Sequence, residues 1–352
     1  MSLKSKDAIH RQYQSIKQAR RRRWVGFGAL VGIIVYLLYS ALVAIDWWGT
    51  RRYYGSFYDA MRNFFPFLLS DPPYFDPRGF GEYWTFIQDR SLLYDVELVG
   101  ELPPLTSDPL GFFINVPGFL WMVLTAEGGP LVLFGVAGTT LSMAVAGTII
   151  GFPFALLFGV LGSERVTPFP FNFIFRGTMS TIRAIPALVW ALIFVPLSGL
   201  GPVTAMIAIA VDTVGNLGRL FVDELEEIED GPIEAMETTG ANRPQTITFG
   251  MLSQVQNPFI AWTLYIFEIN VRIAVALGII GGGGLGWVLA VQIDLFRFTD
   301  AMATILVILF LIISVELFSQ RTRARLRAEE EATGLIELLK GFPRRMAESL
   351  AK

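Results

Sequence analysis

Asp212 lies inside the apolar run AIAVDTVGNLGRLF with Asn216 one helical turn later, and FEINVR places Glu268 four residues before Arg272, with Asn270 between them. Ionisable side chains at bilayer depth are costly, so each one is a functional candidate by default. Four residues is the separation at which opposite charges meet on one helix face. For Glu268 and Arg272 the plainer role is an ion pair turned towards neighbouring helices, and the sharper one is contact with a passing solute. Asp212 has only Asn216 within its own turn, and both roles stand open for it. Gly281, Gly282, Gly283 and Gly284 follow the second charged segment. Four adjacent glycines have little helical preference, so the helix should break there, either as a gate or cavity lining or as an exposed turn.

Other chemistry is excluded more firmly. The chain has no Cys and a single His, His10 in the charged N-terminal segment, so thiol chemistry and metal sites built on Cys and His have nothing to be made from. No G-x-x-x-x-G-K-[ST] occurs, so ATP is not bound through a P-loop. GGGGLG at 281–286 matches G-x-G-x-x-G only formally, since it ends an apolar run and does not join a strand to a helix. There is no G-x-S-x-G and no H-E-x-x-H. A non-enzymatic chain with no cofactor or metal of its own is expected. The formal net charge of -3 and pI near 5.4 argue against a nucleic-acid partner.

These residues need a scaffold. With 53% hydrophobic residues and a mean hydropathy of +0.51, the chain reads as an all-α, polytopic membrane protein. A span needs roughly 20 mainly apolar residues. Six such runs are found at 24–45, 130–161, 178–198, 202–222, 257–280 and 299–318. The first follows Arg20, Arg21, Arg22 and Arg23, and the last is followed by SQRTRARLR. An even number of spans with basic residues at both ends puts both termini in the cytoplasm of a plasma-membrane protein. Arg183, in STIRAIPALVW, would then stand at the cytoplasmic mouth of the third run, where it could snorkel to headgroups or line an anion path.

The domain reading follows from that topology. Residues 1–23 form a basic cytoplasmic tail, 24–45 the first span, 46–129 an aromatic-rich extracytoplasmic segment, 130–318 a core of five spans and 319–352 a charged cytoplasmic tail. The outer segment reads as a cap lying on the headgroups and packing on the spans. Within it 109–124 is apolar but short, with an internal Pro and Asn, as in an interfacial helix or elbow.

One polar stretch, DGPIEAMETTGANRPQTITFG at 230–250, lies inside the connection from about 223 to 256 between the fourth and fifth spans. Asp230, Gly231 and Pro232 read as a stop and restart, with Pro in the first turn of a new helix. With Gly231 as the cap, Glu234 occupies the third helical position, where a carboxylate is favoured. That helix should stop at Gly240, suited to a left-handed C-terminal position. Asn242 can cap a second helix with Pro244 in its first turn. The product is a cytoplasmic corner of two short helices, shaped for another protein to hold.

The corner resembles the E-A-A loop of binding-protein-dependent ABC importer permeases. Glu234 and Ala235, then Gly240, and later Leu252 fit its pattern, with Ala241 in the same coupling loop and Met236, Gly250 and Ser253 as departures. RAIPALVWALIFV, GNLGRLFVDELEEIEDGPIEAMETTGA and YIFEINVRIAVALGIIGGGGLG are similar, in order and spacing, to the phosphonate branch of that family. The likeness covers roughly 134–318, and Asp212 stands where many members carry His. The resemblance implies a type I importer fold and a permease half working by alternating access. A second copy, two ATPase subunits carrying ATP and Mg, and an extracytoplasmic binding protein would complete the machine. The substrate would be a phosphonate or a related oxyanion such as phosphate or phosphite. A secondary transporter coupled to ions or protons through Asp212, Glu268 and Arg272, or a membrane scaffold or sensor, would explain the intramembrane charges but not the corner.

Overall fold

The computed structural model describes residues 3–46, 54–65, 78–103, 107, 109–125 and 129–327, and every regular element among them is helical. The chain divides into two units, Met1–Asp59 and Ala60–Lys352. The first holds helix α1 (Leu3–Ala44), whose Arg22–Ala44 stretch has a hydropathy of 2.3 and no residue buried in protein. Lipid is the solvent for such a surface. The basic segment before it continues the same helix, because Lys, Arg, Gln and Ala are good helix formers.

α2 (Tyr54–Phe64) crosses the division between the units. Within the second unit follow α3 (Arg78–Asp89), α4 (Val96–Gly100) and α5 (Pro109–Thr125). The side chain of Asp95 caps α4 by accepting from Leu98 N at 3.0 Å. Tyr83, Phe86 and Leu92 are buried in one cluster with core-helix residues such as Val307 and Leu311. The segment after α3 also tops the helix that begins at Gly135, since Val136 N and Ala137 N donate to the carbonyls of Ser91 and Leu92 at 2.9 and 3.0 Å. α5 has 17 residues with Pro117 inside, short of a span, and Trp121 and Leu110 point outward.

The membrane core comprises α6 (Gly135–Gly162), α7 (Phe171–Ala184), α8 (Ala187–Ser198), α9 (Pro202–Glu226), α12 (Gln256–Leu277) and α14 (Phe298–Arg327). Between α9 and α12 lie α10 (Gly231–Thr238) and α11 (Arg243–Gln245), and α13 (Gly284–Asp294) precedes α14. Five helices among the described residues are long and apolar enough to cross a bilayer, six if α7 and α8 are one broken span. α6 and α9 form the central pair. A Cβ at Gly151 would come within 2.6 Å of the Ala210 carbonyl oxygen, and one at Gly159 within 2.7 Å of Phe221 Cβ. Small residues at these positions are what let the two backbones approach.

The expected third span at 178–198 is not one helix: α7 and α8 meet at 91°. The cause is local. Pro186 disfavours helical geometry at the residue before it, and Ile185 is extended at ψ 117. The Ile182 carbonyl at the break accepts from Ile185 N and from Trp190 Nε1, each at 3.2 Å.

The glycine run does break the helix, but the exposed turn considered for it is not what forms. The chain kinks within Gly278–Gly282, where Ile280 and Gly281 leave helical geometry, and Gly281, Gly283 and Gly284 take φ of 106, 90 and 66. These are left-handed values that glycine alone adopts readily. Gly278 and Gly282 are buried, and Leu285 N donates to Thr140 Oγ1 of α6 at 3.0 Å. The chain then re-enters a helix, α13, in place of passing directly to the last span.

Candidate functional site

The corner between α9 and α12 is built by caps. Asp230 is the N-cap of α10, one residue earlier than the sequence suggested, and Gly231 and Pro232 open the helix. Asp230 makes no side-chain cap because its carboxylate is engaged elsewhere, with Arg165. Glu234 remains in the first turn, where the helix dipole favours it. At the other end Gly240 takes φ +77. Gly240 N donates to Glu237 O at 3.0 Å and Ala241 N to Met236 O at 3.3 Å, a Schellman closure. Nothing lies within 4 Å of a Cβ at Gly240, so the glycine is required for its dihedral and not for space.

Asn242 then starts α11 with a complete capping box: its Oδ1 accepts from Gln245 N at 3.0 Å, and Gln245 Oε1 accepts from Asn242 N at 2.9 Å. The second helix differs from expectation, since it is a single α turn that continues as a π turn, Thr246–Met251. Thr246 and Met251 are buried there, and Gly250 lies against Met236. Met236 is thus the inward anchor of the corner, whereas Glu234, Ala235, Glu237 and Gly240 are exposed.

The charges inside the spans fall into separate groups. Glu268 is 7% exposed and receives Arg272 at 2.6 Å on Oε1 and Arg323 of α14 at 3.3 Å on Oε2. Arg272 also lies 3.6 Å from Glu316, and Gln320 donates to that carboxylate at 3.0 Å. This is the interhelical ion-pair arrangement, extended by Glu316 and Arg323, which the sequence reading missed. Glu316 was findable as a carboxylate within the last apolar run. Arg323 was hidden among the basic residues that ordinarily follow a span.

Asn270, a candidate for the path, is fully buried. Its Nδ2 donates to Thr148 Oγ1 of α6 at 2.8 Å and to Thr213 Oγ1 of α9 at 2.9 Å. Both hydroxyls donate in turn to backbone carbonyls four residues back. Asn270 therefore ties three helices together and is closed to solute in this conformation.

Asp212 is also buried, with Asn216 Nδ2 donating to its Oδ2 at 2.9 Å. Arg183 is exposed, and its guanidinium has no ion pair or hydrogen bond among the described residues. The bend sets its place. It ends α7 beside the break, and a Cβ at Gly215 of α9 would meet Arg183 Cγ at 3.1 Å. Gly215 is about 16 Å along the helix from Glu226, in a helix about 37 Å long. Arg183 is therefore level with the middle of α9 and not with either end of that helix. Among the described residues no cluster of His, Cys, Asp and Glu could hold a metal ion.

Residues 151–327 match the family of binding-protein-dependent transport system inner membrane components. The chain belongs to that family. It is 34% identical over 195 residues to the phosphate-import permease protein PhnE of Mycolicibacterium smegmatis, covering 55% of this chain and 37% of that protein. It is 30% identical over 181 residues to the phosphite transport system permease protein PtxC of Stutzerimonas stutzeri, covering 51% and 66%. The chain thus spans between about a third and two thirds of these relatives. A chain of the MetNI methionine ABC transporter, in an inward-facing crystal form, is similar at a TM-score of 0.51 and 17% identity, covering 60% of this chain and 99% of that one. This likeness is one of fold alone. Within the family match fall the bend, the corner and the buried charges alike.

Proposed function

We propose that this chain is the permease subunit of an ATP-driven importer for a phosphorus oxyanion: a phosphonate, phosphate or phosphite. Two copies would enclose the pathway in the plasma membrane with all termini cytoplasmic. Two ATPase subunits, carrying ATP and Mg, would dock beneath, and an extracytoplasmic binding protein would deliver the solute. The observation that carries this reading is the corner at Glu234–Ala241, closed by the Schellman turn at Gly240 and exposed on its outer face. A chain with no P-loop of its own presents there a rigid handle for one that has it.

The substrate class rests on the relatives' names together with Arg183. An exposed guanidinium with no partner among the described residues, beside a break in a span, is suited to an oxyanion, for which its planar fork is matched. Broken helices recur at the solute sites of transporters. Asp212 and Asn216 lie on α9 on either side of Gly215, the residue that Arg183 abuts. Glu268, Arg272 and Asn270 hold helices together in this reading, and the glycine run at 281–284 seats α13 against α6.

The test is uptake of radiolabelled phosphate, phosphite and methylphosphonate into proteoliposomes containing the chain, its ATPase and its binding protein. Uptake of at least one that requires internal ATP is expected. Uptake that persists without the ATPase and collapses with an uncoupler would establish a secondary transporter instead.

A further inference from the structure

The corner is fastened to a second cytoplasmic element. The connection between α6 and α7 carries Arg165, whose Nη1 lies 2.5 Å from Asp230 Oδ1 and whose Nε and Nη2 donate to the carbonyl of Glu226 at 3.3 and 3.2 Å. Arg176, in α7, donates through Nε to Gly162 O at 2.7 Å and pairs through Nη2 with the Glu226 carboxylate. From the opposite side Arg243, the first residue of α11, donates to Val166 O at 2.8 Å. The loop is therefore gripped from both ends of the corner.

The chemistry favours this grip. The Glu226 carbonyl is at the C-terminal end of α9, where the helix dipole concentrates negative potential, and a guanidinium fork suits it. A single exposed ion pair is worth little, but several that share partners act as a network. Asp230 is also the residue immediately before α10, so any displacement of α10 moves the partner of Arg165.

The consequence is mechanical. The corner is joined covalently to α9 and to α12, but α6 and α7 have no such link to it. We propose that Arg165, through Asp230 and Glu226, is a positioning residue that carries displacement of the corner to α6 and α7, and hence to the bend beside Arg183. Arg176 and Arg243 complete the clamp. This inference rests on the corner being the ATPase-docking element.

Because the chain has no native Cys, spin-label pairs can be placed without background. Phe169 in the loop and Phe249 in the turn after α11 are 79% and 66% exposed and serve as labelling sites once replaced by Cys. In the assembled transporter, the distance distribution between them should be the same without nucleotide and after vanadate trapping. With Arg165→Ala the distribution should broaden or shift on trapping, and phosphate transported per ATP should fall at least fivefold in assembled complexes. Arg165→Lys keeps the charge but not the fork and should lie between. Wild-type distances and coupling in Arg165→Ala would overturn the clamp. So would equal loss of ATPase activity and uptake together with loss of assembly, because that marks a merely structural residue. Gly240→Val separates the two readings. If it uncouples while Arg165→Ala does not, only the clamp fails; if neither does, the docking reading fails and the clamp with it.

Discussion

Glu268 and Arg323, on α12 and α14, are joined at 3.3 Å through the carboxylate oxygen that Arg272 leaves open. One carboxylate thus holds a guanidinium from its own helix and one from a neighbour. The Glu268 side chain is 8% exposed, Arg323 22% and Arg272 46%, so water screens the inner pair least. Removing one member of a fully buried pair costs about 3–5 kcal/mol, and partial exposure reduces that. Glu268→Gln should therefore destabilise the protein by about 2 kcal/mol, seen as a lower thermal midpoint in detergent. The KM for solute should not change. A large rise in KM at an unaltered midpoint would instead place Glu268 on the pathway.

Gly240→Val tests the corner through its backbone alone. A Cβ there meets nothing within 4 Å, but φ +77 is a left-handed value that costs an L residue about 1–2 kcal/mol and a β-branched one more. The spans should fold and insert normally, while ATP hydrolysis continues with little uptake. Wild-type uptake by this variant would remove the corner from the coupling path.

Asn270 offers a sharper contrast between two near-isosteric changes. Thr148 and Thr213 already donate to their own helices, so Asn270→Leu only withdraws a donor from two hydroxyl oxygens and also removes the unpartnered Oδ1. A cost of about 1–2 kcal/mol is expected. Asn270→Asp puts a carboxyl group between hydroxyls whose protons are committed, and should be the worse of the two in thermal stability. The reverse order would mean that the hydroxyls reorient freely and that the knot is looser than its geometry.

The sequence made the spans, the caps and the corner legible because each rests on local rules: apolar run length, Pro and Gly placement, and an Asn able to cap the second short helix. It missed the 91° bend although Pro186 was in view, because a proline inside an apolar run is compatible with a mild kink as well as a break. It did not anticipate α13, since the apolar residues after the glycine run are too few to span and carry no cap of their own. The partners of Glu268 from α14, and the clamp at Arg165, were illegible for another reason. Such contacts depend on which helices become neighbours, and charged residues at span ends are common whether or not they pair. Arg183 shows both limits at once: its residue type was noticed, but its place against Gly215 was set by a bend that had not been foreseen.

Arg183→Gln tests the substrate reading. Losing an exposed guanidinium that has no partner among the described residues should leave the fold intact, so the thermal midpoint should stay within about 0.5 kcal/mol equivalent of wild type. If the guanidinium meets the oxyanion, uptake of the transported anion should show a rise in KM of roughly tenfold or more, about 1.4 kcal/mol or greater. Arg183→Lys should recover part of it, because a point charge replaces a fork. An unchanged KM in both variants would move the anion contact elsewhere on the pathway.

Asp212→Asn separates charge from shape at the same depth. The substituted amide can still offer an oxygen to Asn216 Nδ2, which now donates at 2.9 Å, so helix packing around α9 should persist. What disappears is any negative charge that Asp212 carries on the helix against which Arg183 rests. If that charge helps an anion to leave, its loss should bind the anion more tightly and release it more slowly, lowering kcat and KM together. If Asp212 serves only as an acceptor for Asn216, both constants stay at their wild-type values. A rise in KM fits neither role and would indicate that Asp212 orients a group that binds the solute. Kinetics of ATP-dependent phosphate uptake, with assembly checked on the same preparations, distinguish the three.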